Sequence, residues 1–235
     1  MAERVGLSRN FNLAWLNAAA DCQLSGMSKQ EARAYLEPII AQTIQSKDNI
    51  RKTRTMLLNL WYDNHSWIQA TAIDACKGVS ITERLPLHWA LLLAQYPVFF
   101  DLCTVMGNLF DYRSEITLHQ IKKRVFEKWG ARTTLLHSLS KNVQSLRDID
   151  VIQPAEAIGS YTVKHYVIDD KHIVFALADA ILKNENREYM MWEEIIHHPA
   201  LYPFEIQHVT QADIASCDHF ALERMGDDVV IRIKS

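Results

Sequence analysis

Apolar residues recur every three or four positions through most of the first 110 residues, and this spacing requires helices rather than strands. Between residues 28 and 45, Ala32, Leu36 and Ile40 carry the pattern. Ser28 and Glu31 form a capping box at its start, whereas Pro38 predicts a kink or break. Further helices are predicted at 12–22, 48–62, 66–77, 83–95 and 97–110. These short, closely connected segments predict a mainly α fold, with a helical bundle over residues 1–96.

The pattern changes after Asp111, where strand-like residues alternate with two further helices. The predicted elements are a strand at 114–117, helices at 118–129 and 133–149, and two extended pieces within 151–168. Thr117 is a suitable N-cap for the first of these helices, and Gly130 ends it. The element order, with a tight turn between the helices and a hairpin after them, is typical of a winged helix-turn-helix. We therefore predict a winged helix-turn-helix with a small β-hairpin wing over residues 97–168.

The last part of the chain, residues 169–235, returns to a mixed pattern. Helices are predicted at 171–183 and 187–197, and a turn at 226–228 joins 222–224 to a strand-like segment at 229–233. The sequence thus suggests three segments, 1–96, 97–168 and 169–235.

The net charge of −3 gives, as a total, no reason to expect a polyanion as partner. The distribution changes this conclusion. Residues 118–147 carry seven basic side chains and one acidic one, a net charge of +6, whereas residues 169–235 carry six basic and thirteen acidic ones, a net charge of −7. A smaller basic run lies at 47–54. The basic middle segment coincides with the predicted helix-turn-helix, and the C-terminal segment is acidic.

The second helix of this motif has two chemically different faces. Its apolar face is predicted to consist of Leu135, Leu136, Leu139, Val143 and Leu146. Its outer face is predicted to present Thr134, His137, Lys141, Gln144 and Ser145. Such side chains can contact base edges or phosphates, whereas the phosphate backbone would repel carboxylates.

Basic residues around this helix complete the predicted DNA-binding site. The candidate phosphate contacts are Lys122, Lys123, Arg124, Lys128 and Arg132. Lys164 and His165 are placed where a wing would approach the groove or the backbone. A basic helix face is also common on soluble proteins, and winged helices also serve as protein-interaction modules. An aromatic group, Trp61, Tyr62 and Trp67, close to the 47–54 run, is a candidate second nucleic-acid surface.

Other functional classes find little support. The sequence contains no H-E-x-x-H, G-x-S-x-G, G-x-G-x-x-G or P-loop motif, so we expect no catalytic residues and no cofactor. Glu194 and His197 have the spacing of a carboxylate-histidine pair that binds a metal from a helix, but the sequence contains no second E-x-x-H pair. We therefore expect no metal and interpret these two residues as part of a polar helix end. A metal-dependent hydrolase is the weakest hypothesis.

The compartment is predicted from the cysteines, the N-terminus and one apolar stretch. The four cysteines lie far apart without a C-x-x-C pair and are expected to be reduced. The first ten residues lack an apolar run, so we expect a cytoplasmic location. Residues 85–110 have the length of a membrane span, but His88, Gln95, Asp101 and Asn108 interrupt them. We therefore predict two buried helices there and no membrane association.

Several stretches resemble the BrxA family of BREX phage-exclusion systems. They are LPLHWALLLAQYPVFFD at 85–101, Ile116-Thr-Leu, the helix end Lys128-Trp129, and SKNVQSLRDI at 140–149, within a similarity over residues 28–168. The resemblance implies a mainly helical, non-enzymatic DNA-binding accessory protein of a bacterial defence locus, with other defence proteins as partners. The greater length and the acidic C-terminal segment depart from the family's compact members. The leading hypothesis is therefore binding of duplex DNA, and the alternative is a protein-protein adaptor in a defence or repair complex.

Overall fold

Helices whose apolar faces meet account for the first part of the chain. The computed structural model describes Leu7 and residues 9–62, 66–226 and 228–234. The helices are α1 (Leu13–Leu24), α2 (Lys29–Ala41), α3 (Lys47–Tyr62), α4 (Trp67–Cys76), α5 (Leu85–Gln95) and α6 (Pro97–Phe110), with a 3-10 helix at Ile81–Glu83. The predicted helices are thus confirmed, with small differences at their ends.

Helix α2 shows both a correct and a wrong expectation. The predicted capping box is present, because the Ser28 amide donates to Glu31 and the Glu31 amide donates to Ser28 Oγ. Of the kink or break predicted at Pro38, the break is wrong, since the helix continues through it to Ala41. Proline has no amide hydrogen, so the Ala34 carbonyl has no hydrogen-bond donor within the helix. Ala34 and Pro38 both lie on the exposed face of α2, where water can bind this carbonyl.

Helices α5 and α6 divide the apolar stretch at 85–110 as predicted. Tyr96 is extended between them, and Pro97 begins α6. No single helix in the part of the chain that the structure describes is long and apolar enough to cross a bilayer. Only the pair Ile81–Gln95 and Pro97–Phe110 meets that test together, and it is bent by 118° at the break.

The middle segment follows the predicted element order. After α6 come β1 (Ile116–Thr117), α7 (Leu118–Trp129), α8 (Thr133–Asp148), β2 (Ile152–Pro154) and β3 (Ser160–Val163). The three strands form an antiparallel sheet in the order β1-β3-β2, so that Tyr161 lies between Ile116 and Pro154. Thr117 caps α7 through its hydroxyl, which accepts from the Gln120 amide at 3.2 Å.

The second of the two extended pieces expected within 151–168 does not form a single strand. The chain leaves the antiparallel sheet after Val163, and β4 (Tyr166–Ile168) pairs in parallel with β6 (Phe204–Ile206). The amide of Lys164 still donates to the Val151 carbonyl at 2.9 Å, whereas the amide of Tyr166 donates to the Pro203 carbonyl at 2.8 Å. The backbone therefore changes partner at Lys164 and His165.

The C-terminal segment adds one long buried helix and small elements around it. These elements are α9 (Lys171–Glu185), β5 (Met190–Met191), α10 (Trp192–Ile196), a 3-10 helix at Pro199–Leu201, α11 (Gln211–Ala215), β7 (Phe220–Met225) and β8 (Asp228–Ile233). A helix over 187–197 is wrong in extent, because Met190 and Met191 pair with β8 and only 192–196 is helical. Strands β7 and β8 pair in antiparallel fashion with Gly226 in the turn between them, whereas Asp227 of the predicted turn lies outside the described residues and Asp228 belongs to β8.

One hydrophobic core runs through all three segments. Helix α9 packs on α4 and α5, and the 3-10 helix at Pro199–Leu201 packs on α6. The second contact is close, because a Cβ on Gly107 would lie 2.0 Å from the Pro199 carbonyl oxygen. The fold is mainly helical, and the proposed boundaries at 96 and 168 remain predictions about folding units.

Candidate nucleic-acid interface

The basic residues of α7 lie on two different sides of the helix. Arg124 and Lys128, four residues apart, line a groove of about 730 Å³ between α6 and α7. Lys122 and Lys123 line a separate concave surface together with His119 and Phe126. Because a helix turns about 100° per residue, the three consecutive cations Lys122, Lys123 and Arg124 do not all face the same side.

Two of the predicted phosphate contacts bind carboxylates of the chain itself. Lys128 Nζ lies 2.7 Å from Asp101 Oδ1 on α6, and Trp129 Nε1 donates to the other oxygen of Asp101 at 2.7 Å. Arg124 lies 3.2 Å from Glu127 one turn later. Lys128 therefore ties α7 to α6, whereas Lys123 and Arg132 are exposed and Lys122 is half-buried.

One side of α8 faces outward. Along it, at intervals of three and four, lie the exposed residues Thr133, His137 and Arg147 and the half-buried residues Ser140 and Gln144, which together are called the α8 stripe. Thr134, Lys141 and Leu136 lie along its edges, and Leu136 is partly exposed rather than on the apolar face as expected. The sequence reasoning identified His137 and Gln144 but missed Thr133, Ser140 and Arg147. Counting helical positions outward from His137 would have identified them.

The polar groups at the end of this stripe bind one another. Gln144 Nε2 donates to Asp148 Oδ1 at 2.7 Å, and an Arg147 nitrogen donates to Gln144 Oε1 at 3.3 Å. The carboxylate of Asp148 therefore marks the end of the carboxylate-free part of the face, as the sequence indicated.

The predicted exposure of Ser145 is wrong. Its side chain is buried, and its hydroxyl accepts a hydrogen bond from the Phe11 amide at 2.9 Å. One turn and two turns earlier on the same side, Asn142 is also buried, and Ser138 donates to the Leu7 carbonyl at 2.8 Å. Leu7 and Phe11 thus cover this side of α8, so Ser145 is not available to DNA.

The expected position of Lys164 is also wrong. The tip of the β2–β3 hairpin is formed by residues 155–159, and its fully exposed side chain is Ile158. Lys164 lies at the opposite end of the hairpin, where it forms an ion pair with Asp150 and approaches the Tyr166 ring at 5.2 Å. The hydrogen bond from Lys164 lowers the pKa of the Asp150 carboxyl.

The aromatic group near the 47–54 run does not form a stacking surface. Trp61 is fully buried, and the Tyr62 hydroxyl donates to the Met27 carbonyl at 3.1 Å. Trp67 stacks on His219 with ring centroids 3.8 Å apart. The prediction of exposed aromatics is therefore wrong for Trp61, because the core of the bundle takes its ring.

The remaining candidate residues have structural partners. Glu194 binds Arg187 and the Met191 amide at the start of α10. Within the described residues, no group of three His, Cys, Asp or Glu side chains is arranged to hold a metal ion. Cys22, Cys76 and Cys103 are buried thiols and Cys217 is partly buried, and none of the four forms a disulfide. Burial raises the pKa of Cys76 to about 11.

Comparison of the chain with protein-family models, with curated proteins and with solved structures finds no match.

Proposed function

We propose that residues 97–168 form a winged helix-turn-helix that binds duplex DNA, with α8 as the recognition helix. The observation that carries this proposal is the outward-facing α8 stripe from Thr133 to Arg147, on a helix that follows α7 after three residues and precedes a β-hairpin. A recognition helix of this kind enters the major groove, and the preceding helix crosses the backbone. Hydroxyl, imidazole, amide and guanidinium groups along one stripe suit base edges and phosphates.

The cations beside the stripe support this role. Lys122, Lys123 and Arg132 belong to α7 and to the turn before α8, where backbone phosphates pass in such complexes. The predicted partner is therefore double-stranded DNA, bound mostly through phosphates and oriented by the α8 stripe. Lys128 and Arg124 are not needed in this interface, because they lie against α6 and Glu127.

The resemblance to the BrxA family gives this activity its biological setting. We propose that the protein is a non-enzymatic accessory protein of a bacterial anti-phage system that works beside larger enzymes. Deletion of its gene is then expected to raise phage plating efficiency on a host that carries the intact system. Restoration by the wild-type gene, but not by a variant that no longer binds DNA, would link the two activities.

A salt titration of DNA binding tests the proposal. Fluorescence anisotropy with a labelled duplex is expected to show an affinity that falls steeply with salt, because each neutralised phosphate releases condensed counterions. The double variant Lys122→Glu/Lys123→Glu is expected to lose binding. Its matched control is Lys77→Glu/Lys171→Glu, which changes the net charge equally outside the middle segment. Equal, salt-insensitive binding by both variants would exclude the proposed interface.

The groove between α6 and α7 favours a second candidate function, that of a protein-protein adaptor. Val105 and Leu109 line it with apolar side chains. The charged lining residues are Arg113, Arg124, Lys128 and one carboxylate, Glu127, and the ring of Tyr112 beside them is 87% exposed. An exposed aromatic ring beside cations suits an acidic partner segment that carries an apolar anchor.

A photoreactive residue distinguishes this adaptor from the DNA-binding protein. We would replace Tyr112 by p-benzoylphenylalanine, with the exposed Tyr35 on α2 replaced in a control. In native cells treated with nuclease, a single protein cross-linked from position 112 but not from position 35 would support the adaptor. Cross-links to no protein, together with retained DNA affinity, would favour the first proposal.

A further inference from the structure

The tip of the β2–β3 hairpin, residues 155–159, presents an apolar side chain that the fold does not bury. Ile158 is fully exposed, and Glu156 beside it is exposed and has no ion pair or hydrogen bond among the described residues. The hairpin tip contains no lysine or arginine, so its one carboxylate would be repelled by phosphates. This chemistry suits a protein surface that offers an apolar pocket for Ile158 next to a cation for Glu156.

Hydrogen bonds hold the hairpin tip in one conformation. The Ser160 amide donates to the Ala157 carbonyl, and the Ala155 amide donates to the Ser160 carbonyl, both at 3.0 Å. The Ser160 hydroxyl donates to Glu115 Oε2 at 2.9 Å, which ties the hairpin tip to the residue before β1. Isoleucine is branched at Cβ and has little rotamer freedom to lose. Binding through this hairpin tip therefore has a small cost in conformational entropy.

The groove between α6 and α7 has the complementary chemistry. Val105 and Leu109 line it with apolar side chains, and its volume of about 730 Å³ leaves room for the hairpin tip. Lys128 and Arg124 bind carboxylates of the same chain. Arg113 is exposed, and its side chain has no partner among the described residues. Arg113 is therefore the cation of this groove that can pair with an incoming carboxylate.

The hairpin tip and the groove lie at different positions along α7. The Leu118 amide, at the start of α7, donates to the Gly159 carbonyl of the hairpin tip at 3.3 Å. Arg124 and Lys128 line the groove about two to three turns further along the same helix. If two α7 helices lie antiparallel about a two-fold axis, the hairpin tip of each copy meets the groove of the other, and the same contact forms twice.

We propose that the protein forms a two-fold dimer in which Ile158 and Glu156 of each copy enter the groove of the other, with Glu156 beside Arg113. The inference rests on the second candidate function only in treating the groove as a protein-binding surface, and it names a second copy of the chain as the occupant. Lys122 and Lys123 line a separate surface, which the dimer leaves open to a duplex. Two small contacts predict a weak dimer, with a dissociation constant of about 1–100 μM.

Sedimentation velocity of the full chain over a range of concentrations tests the dimer. The sedimentation coefficient is expected to rise with concentration. Ile158→Ser is expected to weaken association at least about tenfold, because the apolar contact is lost twice, and to leave the melting temperature unchanged. Ile81→Ser is the matched control, because Ile81 is an exposed isoleucine outside both surfaces. It is expected to associate as the wild type does.

An exchange of charges tests the pairing of Glu156 with Arg113. Glu156→Arg and Arg113→Glu are each expected to weaken association at least about fivefold, because like charges then meet in both contacts. The double variant Glu156→Arg/Arg113→Glu is expected to restore association to within about twofold of the wild type. A general effect of either substitution on folding would not be reversed in this way.

The results that would overturn this inference differ from those that would overturn DNA binding. A chain that stays monomeric up to about 200 μM would overturn it, and so would a dimer that Ile158→Ser does not weaken or a double variant that associates no better than the single ones. Retained duplex binding would then leave the first proposal standing. A dimer that responds as expected but binds no duplex would support this inference and overturn the first proposal. A monomeric chain that is cross-linked from position 112 to a different protein would assign the groove to that protein and overturn the inference.

Discussion

The hydroxyl of Ser145 on α8 accepts a hydrogen bond of 2.9 Å from the backbone amide of Phe11, 134 residues earlier in the chain. Together with the bond from Ser138 to the Leu7 carbonyl, it holds Leu7 and Phe11 along one side of α8. This contact decides which side of the helix remains open to a ligand. That side carries the α8 stripe from Thr133 to Arg147.

Replacement of Ser145 by alanine is therefore expected to affect folding rather than DNA binding. The Phe11 amide would remain buried without an acceptor, which costs about 1–3 kcal/mol in the free energy of unfolding. Ser140→Ala changes the α8 stripe, so we expect this variant to keep near-normal stability and to bind DNA more weakly. Urea denaturation and anisotropy on the same samples measure both properties. Weaker DNA binding by folded Ser145→Ala than by Ser140→Ala would contradict the assignment of the exposed stripe.

The two sides of α7 are expected to respond differently to loss of a lysine. Lys123→Ala removes an exposed cation, so the slope of log affinity against log salt is expected to fall by about 0.9. Lys128→Ala breaks the ion pair with the mostly buried Asp101, so it is expected to lower stability and to leave the slope unchanged. Equal slope changes in both variants would show that the side of α7 that faces α6 also meets DNA.

Local signals explain what the sequence predicted well. The bounds of α7 follow from Thr117 and Gly130, which act within one turn of the helix ends. The errors arise where a distant segment competes for the same groups. The side of α8 that carries Ser145 is covered by Phe11, and residues 166–168 pair with β6, which lies 38 positions further along. Polar side chains at helical spacing do not reveal which of them another part of the chain will bury.

Acid is expected to destabilise the fold through His88. Complete burial, followed by the positive charge of Arg84, lowers the pKa of His88 to about 3, and its Nε2 lies 2.9 Å from Asn17 Oδ1. The unfolded chain takes up this proton below about pH 6.5 and the folded protein does not, so stability is complete above that pH and falls below it. One such group accounts for a loss of about 2 kcal/mol between pH 7 and pH 5.

Urea denaturation at pH 7 and pH 5 measures this effect. The difference is expected to shrink in His88→Gln, whatever the variant's stability at pH 7. It does not vanish, because burial also lowers the pKa of His198, which acts in the same direction. An unchanged difference in His88→Gln would show that other groups carry the pH dependence.

The contact between α6 and the C-terminal segment is expected to tolerate no added methyl group. In Gly107→Ala, the new Cβ would lie 2.0 Å from the Pro199 carbonyl oxygen, so one of the two backbones has to move. A loss of about 2 kcal/mol or more in the free energy of unfolding is expected. Gly78→Ala is the matched control, because its Cβ would meet the Ala75 carbonyl at an ordinary 3.7 Å. Equal stability of the two variants would refute the close packing.

The contact of Leu7 and Phe11 with α8 has a practical consequence for the placement of labels. A fluorophore attached at Arg9 or Asn10 would lie beside the proposed recognition helix, where it would compete with a duplex for space. Lys234, which follows β8, bonds through its amide to the His219 carbonyl within the acidic segment. Labels for binding measurements therefore belong on the acidic segment.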